Sequence, residues 1–519
     1  MLVAILVAMV AALVAAVGAL TVRLAIRTAV AADLSQIGAM KAVGLPVTWI
    51  RRAYLTKYLL LAVLGAALGA GLAPVLQGPL TRGALLEIGS PTSNAATVVA
   101  WIGAAVVVAA GSVAFCWWLL RPVSRIPALA AMRATTATRR PWLWRWRLSR
   151  SRLPATTWLG LRSASTPGQI GLVLVFALLA LMCFLPAQVA TTMRAPGFVT
   201  YLGIGRSDAL IETRDAGTAR TLDSRLASDP AIARRAAFTQ IRGQVKTPDG
   251  WEQVPVDLGD HAAFPLQYAD GGAPTSRDEV AVSYRVASER EVGVGDQVMF
   301  RDALGERPLR VSGVYQDITN GGRTAKGVWQ VPDEQVVGWT HAILLAPNVD
   351  RAATVARWHE QFPGAVILGV DDVSRQTMGS VLDNLDLLVR AAIVLAGVVT
   401  LGLTALFLHL VLATGAGEWA VLRGIGVSDG RLRRTFNVRY LALLACGLLA
   451  GAIIAALTGR FLVAPAAGAF LGAPGLQLQG MPWLAALSLP LVLASAVVTG
   501  SALGSTHLQH LSVRSVTEE

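Results

Sequence analysis

Few side chains of this 519-residue sequence have the types and spacing that catalysis or metal binding needs. Cys116, Cys183 and Cys446 each lie inside an apolar run, so their spacing supports neither a metal cluster nor a disulfide framework. His507 and His510 are three residues apart, and two histidines alone are a weak metal signal. The sequence has no G-x-x-x-x-G-K-[ST] phosphate loop and no H-E-x-x-H zinc motif. We therefore expect no enzyme activity, no bound cofactor and no metal.

Basic residues and glycines recur in a fixed pattern. Residues 38–70 align without a gap with residues 420–452. The alignment pairs Lys41 with Arg423, Gly44 with Gly426, Arg51-Arg52 with Arg433-Arg434, Gly65 with Gly447, and Gly69 with Gly451. Two unrelated membrane hairpins could share apolar composition, but this would not align glycines and basic pairs. The alignment predicts that the helical part of the chain is duplicated.

Seven apolar runs are long enough to cross a bilayer. The chain is 54% hydrophobic and only 15% charged, and about 20 apolar residues span the roughly 30 Å hydrocarbon core. The predicted spans are residues 2–22, 54–72, 98–120, 169–189, 385–412, 441–457 and 483–503. The first lacks a basic start and runs into Arg23 and Arg27 instead of a cleavage site, so we interpret it as a retained span. The expected fold class is a polytopic α-helical membrane protein.

The charge of the loops predicts the orientation. Arginines and lysines are concentrated after the first, third and fifth spans, which is typical of cytoplasmic loops. An odd number of spans then places the N-terminus outside and the C-terminus inside a bacterial plasma membrane. The net charge is +13. We expect the basic residues, including those of the Trp- and Arg-rich run 139–150, to contact lipid headgroups and not nucleic acid.

One segment, residues 193–378, contains most of the aspartates and glutamates. Runs that alternate between apolar and polar residues predict strands at 254–258, 296–300 and 309–315. Helical periodicity predicts helices near 218–227, 282–291 and 350–362. We expect one α+β domain, which the predicted orientation makes extracytoplasmic.

The predicted organisation has five parts. They are a first helical unit with three spans (1–135), a basic Trp-rich linker (136–167), the span that opens a second unit (168–192), the α+β domain (193–378), and the stalk and three spans of the second unit (379–519). The first unit therefore lacks the first span and the external domain of the second. Either the start of the sequence is truncated or misassigned, or another chain supplies both.

Each unit carries a cytoplasmic segment, 33–52 or 415–434, in which a short amphipathic helix reaches a glycine. Such a helix could dock into a partner, or the segment could be a plain loop at the lipid headgroups. "EWAVLRGIG" in the second unit fits the pattern E-[IW]-[GA]-x-[LM]-[KR]-[AG]-[IVL]-G, and "QIGAMKAVG" in the first fits it except at Gln36. The helical parts thereby resemble the FtsX-like/MacB-type permeases of ABC transporters.

The resemblance implies that both segments are coupling helices in contact with ABC ATPase subunits. Two copies of the ATPase would bind the ATP-Mg that this chain does not. The implied contact residues are Gln36, Lys41 and Gly44 in the first unit and Glu418, Arg423 and Gly426 in the second. Gln36 departs from the family, which has glutamate at this position, so a charged contact is not expected there. Residues 277–300 resemble the extracytoplasmic core domain of the family.

Two further features each allow two interpretations. Asp386 and Arg390 are four residues apart and would lie on one helical face. They predict a stalk beneath the external domain, although a helix extended into the headgroups would have the same pattern. The polar run 317–327 could recognise a ligand or could be an exposed turn.

The leading hypothesis for function is a permease subunit of the mechanotransmission type. A separate ATPase would move the external domain, for export or extraction of a peptide, antibiotic or lipid-like substrate. The alternative is a regulator that transports nothing and switches an extracellular cell-wall hydrolase or a sensor kinase. A secondary transporter would need ionisable groups at mid-membrane, and the spans are nearly free of them.

Overall fold

A computed structural model describes most of the chain. The described residues are 2–88, 95–121, 153–166, 169–248, 250–302, 304–414, 421, 424, 426–471, 476–478, 480 and 483–504. The predicted linker is described only over 153–166. Glu418, Arg423, His507 and His510 lie outside the described residues.

Helices form both the membrane part and the flanks of a sheet. They are α1 Leu2–Ala32, α2 Leu34–Ala42, α3 Val47–Ile88, α4 Ala95–Leu119, α5 Ala155–Ala164, α6 Ile170–Arg194, α7 Ala216–Ala227, α8 Tyr284–Arg290, α9 Arg351–Gln361, α10 Val370–Thr414, α11 Asp429–Thr458, α12 Ala464–Leu471 and α13 Trp483–Gly504. Within the described residues, seven helices are long and apolar enough to cross a membrane. They contain the stretches Leu6–Arg27, Arg51–Pro74, Val98–Leu119, Ile170–Arg194, Val381–Leu412, Asp429–Ala466 and Ala486–Gly504. Each of the seven predicted spans overlaps one of these helices.

Between α6 and α10 the chain forms a ten-stranded mixed sheet. The strands are β1 Ala209–Thr213, β2 Ile232–Thr247, β3 Gly250–Gly259, β4 Tyr268–Gly271, β5 Glu279–Ser283, β6 Gln297–Asp302, β7 Gly305–Tyr315, β8 Ala325–Gly327, β9 Val336–Leu345 and β10 Val366–Gly369. Their order is β10-β1-β9-β2-β3-β8-β5-β7-β4, and β6 pairs with β2 and β7. We call residues 209–369, from β1 to β10, the sheet domain.

The two largest apolar clusters of the sheet domain form its main core. One contains Val256, Phe300 and Trp329, and the other packs Trp358 of α9 against the β1 and β9 strands. The predicted strands lie in β3, β6 and β7. The helix predicted over 282–291 starts later, at Tyr284, because Val282 is a fully buried strand residue between β7 and β8.

The membrane helices pack unevenly around α6. In the most apolar 18-residue stretch of α6, 72% of the residues are buried, whereas none is buried in the corresponding stretch of α3 or α4. α6 crosses α11 closely because Gly447 and Gly451 of α11 face Ala177 and Ala180 of α6. Small residues let two membrane helices approach until their backbones are in contact. The second unit therefore supplies most of the packed core of the bundle.

α10 joins the sheet domain to the membrane part without a break. It begins at Val370, directly after β10, and runs for 45 residues to Thr414. At 1.5 Å per residue this is about 68 Å, roughly twice the hydrocarbon thickness. α10 is therefore longer than a bilayer crossing needs, and the stalk at its start stays a prediction.

Candidate functional site

The first predicted coupling segment is a short helix that a glycine terminates. The N–H groups of Gly44 and Leu45 donate to the carbonyls of Lys41 and Met40, each at 3.1 Å. This is the Schellman arrangement, which needs a left-handed residue after the helix cap. Gly44 meets that need with a φ of +92°. α3 then begins at Val47, so the segment is a helix, a tight turn and a second helix.

The inner face of α2 is fixed to three membrane helices. Ile37 is fully buried in a cluster with Ile26 of α1 and Cys116 of α4. The Asp33 carboxylate at the start of α2 accepts a 2.6 Å hydrogen bond from the Tyr54 hydroxyl of α3. A force on α2 therefore reaches α1, α3 and α4. Asp33 and Tyr54 were not predicted, because residues 21 positions apart leave no local pattern in a sequence.

The outer face of the same segment is open. Gln36 and Gly44 are exposed and Lys41 is half-buried. Beside them, Val43 and Trp49 expose 83% and 67% of their surface. Exposed apolar side chains beside a basic one suit a protein partner. Val43 and Trp49 were also missed, although apolar residues on both sides of a helix-ending glycine are a signal that could have found them.

The second unit repeats this geometry where it is described. Gly426 has the same φ of +92° as Gly44. Three pairs of features are each 382 residues apart. They are the ends of α1 and α10 (32 and 414), the two glycines (44 and 426), and the starts of α3 and α11 (47 and 429). This is the offset of the sequence alignment. Glu418 and Arg423 lie outside the described residues, so their predicted contact role stays a prediction.

Asp386 and Arg390 of the predicted stalk are close, but not as an ion pair. Arg390 Nε donates to the backbone carbonyl of Asp386 at 3.2 Å. The Asp386 carboxylate instead pairs with Arg194 of α6, Nη2 to Oδ2, at 2.5 Å. The pair joins the helix that leads into the sheet domain to the helix that leads out of it. Both side chains are at least a third exposed, so the pair adds only about 0.2–1 kcal/mol.

The predicted polar run 317–327 forms one wall of a cavity of about 200 Å³ in the sheet domain. Asp317 is buried and accepts hydrogen bonds from Thr319 N at 2.8 Å and Thr324 Oγ1 at 2.6 Å. Burial raises its pKa, and Lys326 and these hydrogen bonds only partly oppose the shift. Asn320 and Gly321 are exposed at the tip. The interpretation as a simple exposed turn therefore holds only for the tip, since both ends of the run are buried.

Asp317 also attaches the sheet domain to the short segment that follows α6. The Ile318 N–H donates to the Tyr201 carbonyl at 2.9 Å, and the Asp317 carboxylate lies directly against Gly203. Gly203 has a φ of +69°, and a Cβ there would overlap Asp317 Oδ2. Only glycine fits at this position, which makes the contact a rigid joint.

A buried ion pair forms another part of the cavity wall. Lys326 Nζ lies 2.5 Å from Asp257 Oδ2, and His261 Nε2 donates to the Asp257 backbone carbonyl at 2.9 Å. Burial opposes ionisation of Asp257, but Lys326 more than offsets this and lowers its pKa. Burial, with Lys326 nearby, lowers the pKa of His261 to about 4. The pair is satisfied internally, which is typical of a structural network.

One pentapeptide formally fits the G-x-S-x-G pattern of serine hydrolases. Residues 426–430 read Gly-Val-Ser-Asp-Gly, so the chain is not free of such patterns. A nucleophile elbow needs a strand before the serine and a helix after it. Gly426 instead follows helical residues, and Ser428 is the residue before α11, with its carbonyl accepting from Arg431 and Leu432. The pentapeptide therefore marks the start of α11 and not a nucleophile elbow.

The match to a known family covers the first unit. Residues 8–128 match the family model described as FtsX-like permease C-terminal, from α1 through the first coupling segment to just beyond α4. This stretch is similar to the C-terminal part of FtsX-like permeases. Among solved structures, it is similar to the periplasmic region of MacB from Actinobacillus actinomycetemcomitans, at 14% identity and a TM-score of 0.26, over 34% of this chain and 94% of that one. No curated protein matches the chain.

The match over residues 8–128 has a general consequence. FtsX-like permeases of the MacB type are membrane components of ABC transporters and work with ABC ATPase partners. The expected resemblance is therefore confirmed over residues 8–128, and this match together with the long apolar helices indicates a membrane protein. The residues predicted to couple in the first unit, Gln36, Lys41 and Gly44, lie within the matched stretch at the outer face of α2, and their coupling role stays a prediction.

Proposed function

We propose that this chain is an FtsX-like permease that transmits the motion of an ABC ATPase to its sheet domain. The observation that carries the proposal is the first coupling segment. Its inner face is fixed to α1, α3 and α4 through Ile37 and Asp33, and its outer face is exposed at Gln36 and Val43. A partner that moves this face would move three helices as one body. The chain would have its N-terminus outside and its C-terminus inside, with the sheet domain extracytoplasmic.

The proposal includes a duplicated membrane unit with two ATPase contacts. The common offset of helix ends and left-handed glycines supports the duplication. Lys41 and Gly44 in one unit, and Glu418, Arg423 and Gly426 in the other, would contact one ATPase copy each. Closure of an ATPase dimer on ATP would draw the two segments together, which is a rigid-body movement of two helix groups.

A single helix, α10, connects the second segment to the sheet domain. α10 is one continuous helix from β10 to Thr414, four residues before Glu418. The Arg194–Asp386 pair ties α10 to α6, and Asp317 against Gly203 ties α6 to the sheet. The domain would thus follow any tilt of α10. We propose that this movement serves export or extraction of a peptide, antibiotic or lipid-like cargo.

The proposal is tested by co-purification with a candidate ABC ATPase and by the ATPase rate of the complex. Lys41→Glu and Glu418→Lys each reverse a charge at a proposed contact, so each should weaken co-purification and lower the stimulated rate. Lys246→Glu is the matched control, because Lys246 is exposed on the sheet domain. If both contact variants behave like Lys246→Glu, the coupling assignment is wrong.

A further inference from the structure

Another cavity lies in the helical bundle, at the end from which α6 leads towards the sheet domain. It has a volume of about 450 Å³, and we call it the α6–α11 cavity. Its walls are the end of α6, the end of α11 with the turn that follows it, and residues before α13. The lining residues are Gln188, Ala456, Arg460, Ala464, Leu476, Gln477, Leu478 and Gly480. One water molecule needs only about 10–15 Å³, so the cavity has room for a larger group.

Gln188 of this wall is a buried polar side chain with an unpaired oxygen. It is 6% exposed, and its Oε1 has no hydrogen-bond partner among the described residues. Most buried polar atoms in native structures have a partner, because a buried acceptor without a donor is unfavourable. Oε1 lies close to Gly459, where a Cβ would be 2.9 Å away, but the Gly459 N–H already donates to the Ala455 carbonyl. A donor for Oε1 therefore has to come from the cavity.

Arg460 supplies a positive charge at the same cavity. Its guanidinium lies 5.6 Å from the ring centre of Phe461 and forms no ion pair with a described residue. At Gly459–Val463 the backbone forms a π-helical turn between α11 and α12, a form that is frequent at functional sites. The cavity therefore combines an unpaired cation and an unpaired acceptor with an apolar wall.

Both side chains lie at the depth of lipid headgroups in a bilayer. Residues 440–459 carry no charge and separate Arg439 from Arg460. At 1.5 Å per residue this separation is about 32 Å, close to the hydrocarbon thickness. On α6, Gln188 follows directly after the apolar run 170–187. Arg460 and Gln188 therefore mark the same membrane boundary, the one from which α6 leads towards the sheet domain.

We propose that the α6–α11 cavity binds the headgroup of a phospholipid that carries hydroxyl groups. The phosphate pairs with Arg460, because a guanidinium can donate two parallel hydrogen bonds to a phosphate. A headgroup hydroxyl donates to Gln188 Oε1, and the start of an acyl chain lies along Leu476 and Leu478. Phosphatidylglycerol has this combination of groups. The inference involves neither the ATPase nor the duplicated unit, and requires only that the bundle spans a membrane.

Native mass spectrometry of the full chain in detergent, with dioctanoyl lipids as probes, tests the proposal. We expect the Kd of phosphatidylglycerol to rise about ten-fold in Arg460→Gln and about five-fold in Gln188→Met, which keeps the unbranched shape of glutamine. Phosphatidylcholine has the phosphate but no hydroxyl or N–H donor. Its Kd should therefore rise in Arg460→Gln and stay unchanged in Gln188→Met. Free glycerol 3-phosphate, which lacks acyl chains, should bind about ten-fold more weakly than phosphatidylglycerol.

Arg439→Gln is the matched control, since Arg439 lies on α11 at the opposite membrane boundary and is not among the residues that line the cavity. This variant should keep the wild-type Kd for phosphatidylglycerol. The thermal midpoint of lipid-free Gln188→Met should not fall, because the change removes an unpaired buried acceptor. This measurement separates lost binding from misfolding.

Three results would overturn the proposal. Equal losses in Arg439→Gln and Arg460→Gln would show a general attraction of headgroups to boundary arginines. An unchanged Kd for phosphatidylglycerol in Gln188→Met would remove the hydroxyl contact. Equal binding of glycerol 3-phosphate and phosphatidylglycerol would make the cavity a site for soluble phosphates. Because no assay here contains an ATPase, the coupling proposal would stand or fall separately.

Discussion

Gly203→Ala should loosen the joint between the sheet domain and α6. Gly203 has a φ of +69°, and the new methyl group would overlap the buried Asp317 carboxylate. A left-handed alanine costs about 1–2 kcal/mol. Displacing Asp317 from Thr319 and Thr324 adds about 1–3 kcal/mol for a buried acceptor that loses its donors. The expected loss in the free energy of unfolding is therefore about 2–5 kcal/mol.

The matched control is Gly305→Ala in the turn between β6 and β7. Gly305 also has a positive φ, +103°, but a Cβ there would meet nothing within 4 Å. Chemical denaturation of the purified full chain measures both variants. Only Gly203→Ala should carry the cost of displacing Asp317, while co-purification with the ATPase stays as in the wild type. If Gly203→Ala is no less stable than Gly305→Ala, the joint is not rigid and the reasoning fails.

Three further outcomes are expected. The double variant Gly447→Val with Gly451→Val should lower the free energy of unfolding by about 2–6 kcal/mol, because each side chain is forced against α6. The matched double variant Gly65→Val with Gly69→Val should change the free energy of unfolding of the isolated chain, measured by denaturation, by less than about 1 kcal/mol. His261 has a pKa of about 4 when folded and about 6.5 when unfolded. As the pH falls, the unfolded state therefore gains a proton first, and the stability of the fold should fall from about pH 6.5 towards about pH 4. In His261→Gln the thermal midpoint should fall less over that range, and an unchanged pH slope would exclude His261 as its source. Arg194→Met should cost only about 0.2–1 kcal/mol, and a larger loss would mean that the Arg194–Asp386 pair is less solvated than its exposure indicates.

Spans and helix ends were predictable because both depend on local pattern. Length and apolarity identified all seven long apolar helices, and Gly44 signalled the end of α2 through the conformation that only glycine adopts easily. The packing of the spans was not predictable. Leu443 and Leu61 have the same side chain in aligned positions, yet one is buried and the other exposed, because lipid and a neighbouring helix both accept leucine.

Long-range polar contacts were missed for a related reason. Asp386 was expected to share a face with Arg390, and it does, but its carboxylate pairs with Arg194, which is 192 residues away. Tyr54 and Asp33 are joined across two helices. The run 317–327 looked like an exposed turn because its composition is polar. Its polar groups are instead buried with partners that lie far off in the sequence, such as Asp257 for Lys326.

The contact between the first coupling segment and the ATPase is the central claim, and a photo-crosslinking amino acid at position 43 tests it most directly. Val43 is 83% exposed at the end of α2, whereas Val107, 71% exposed on the apolar surface of α4, is the matched control. We expect a covalent product with the ATPase subunit from position 43 and none from position 107. A product from position 107 alone, or from neither position in a complex that still co-purifies, would contradict it.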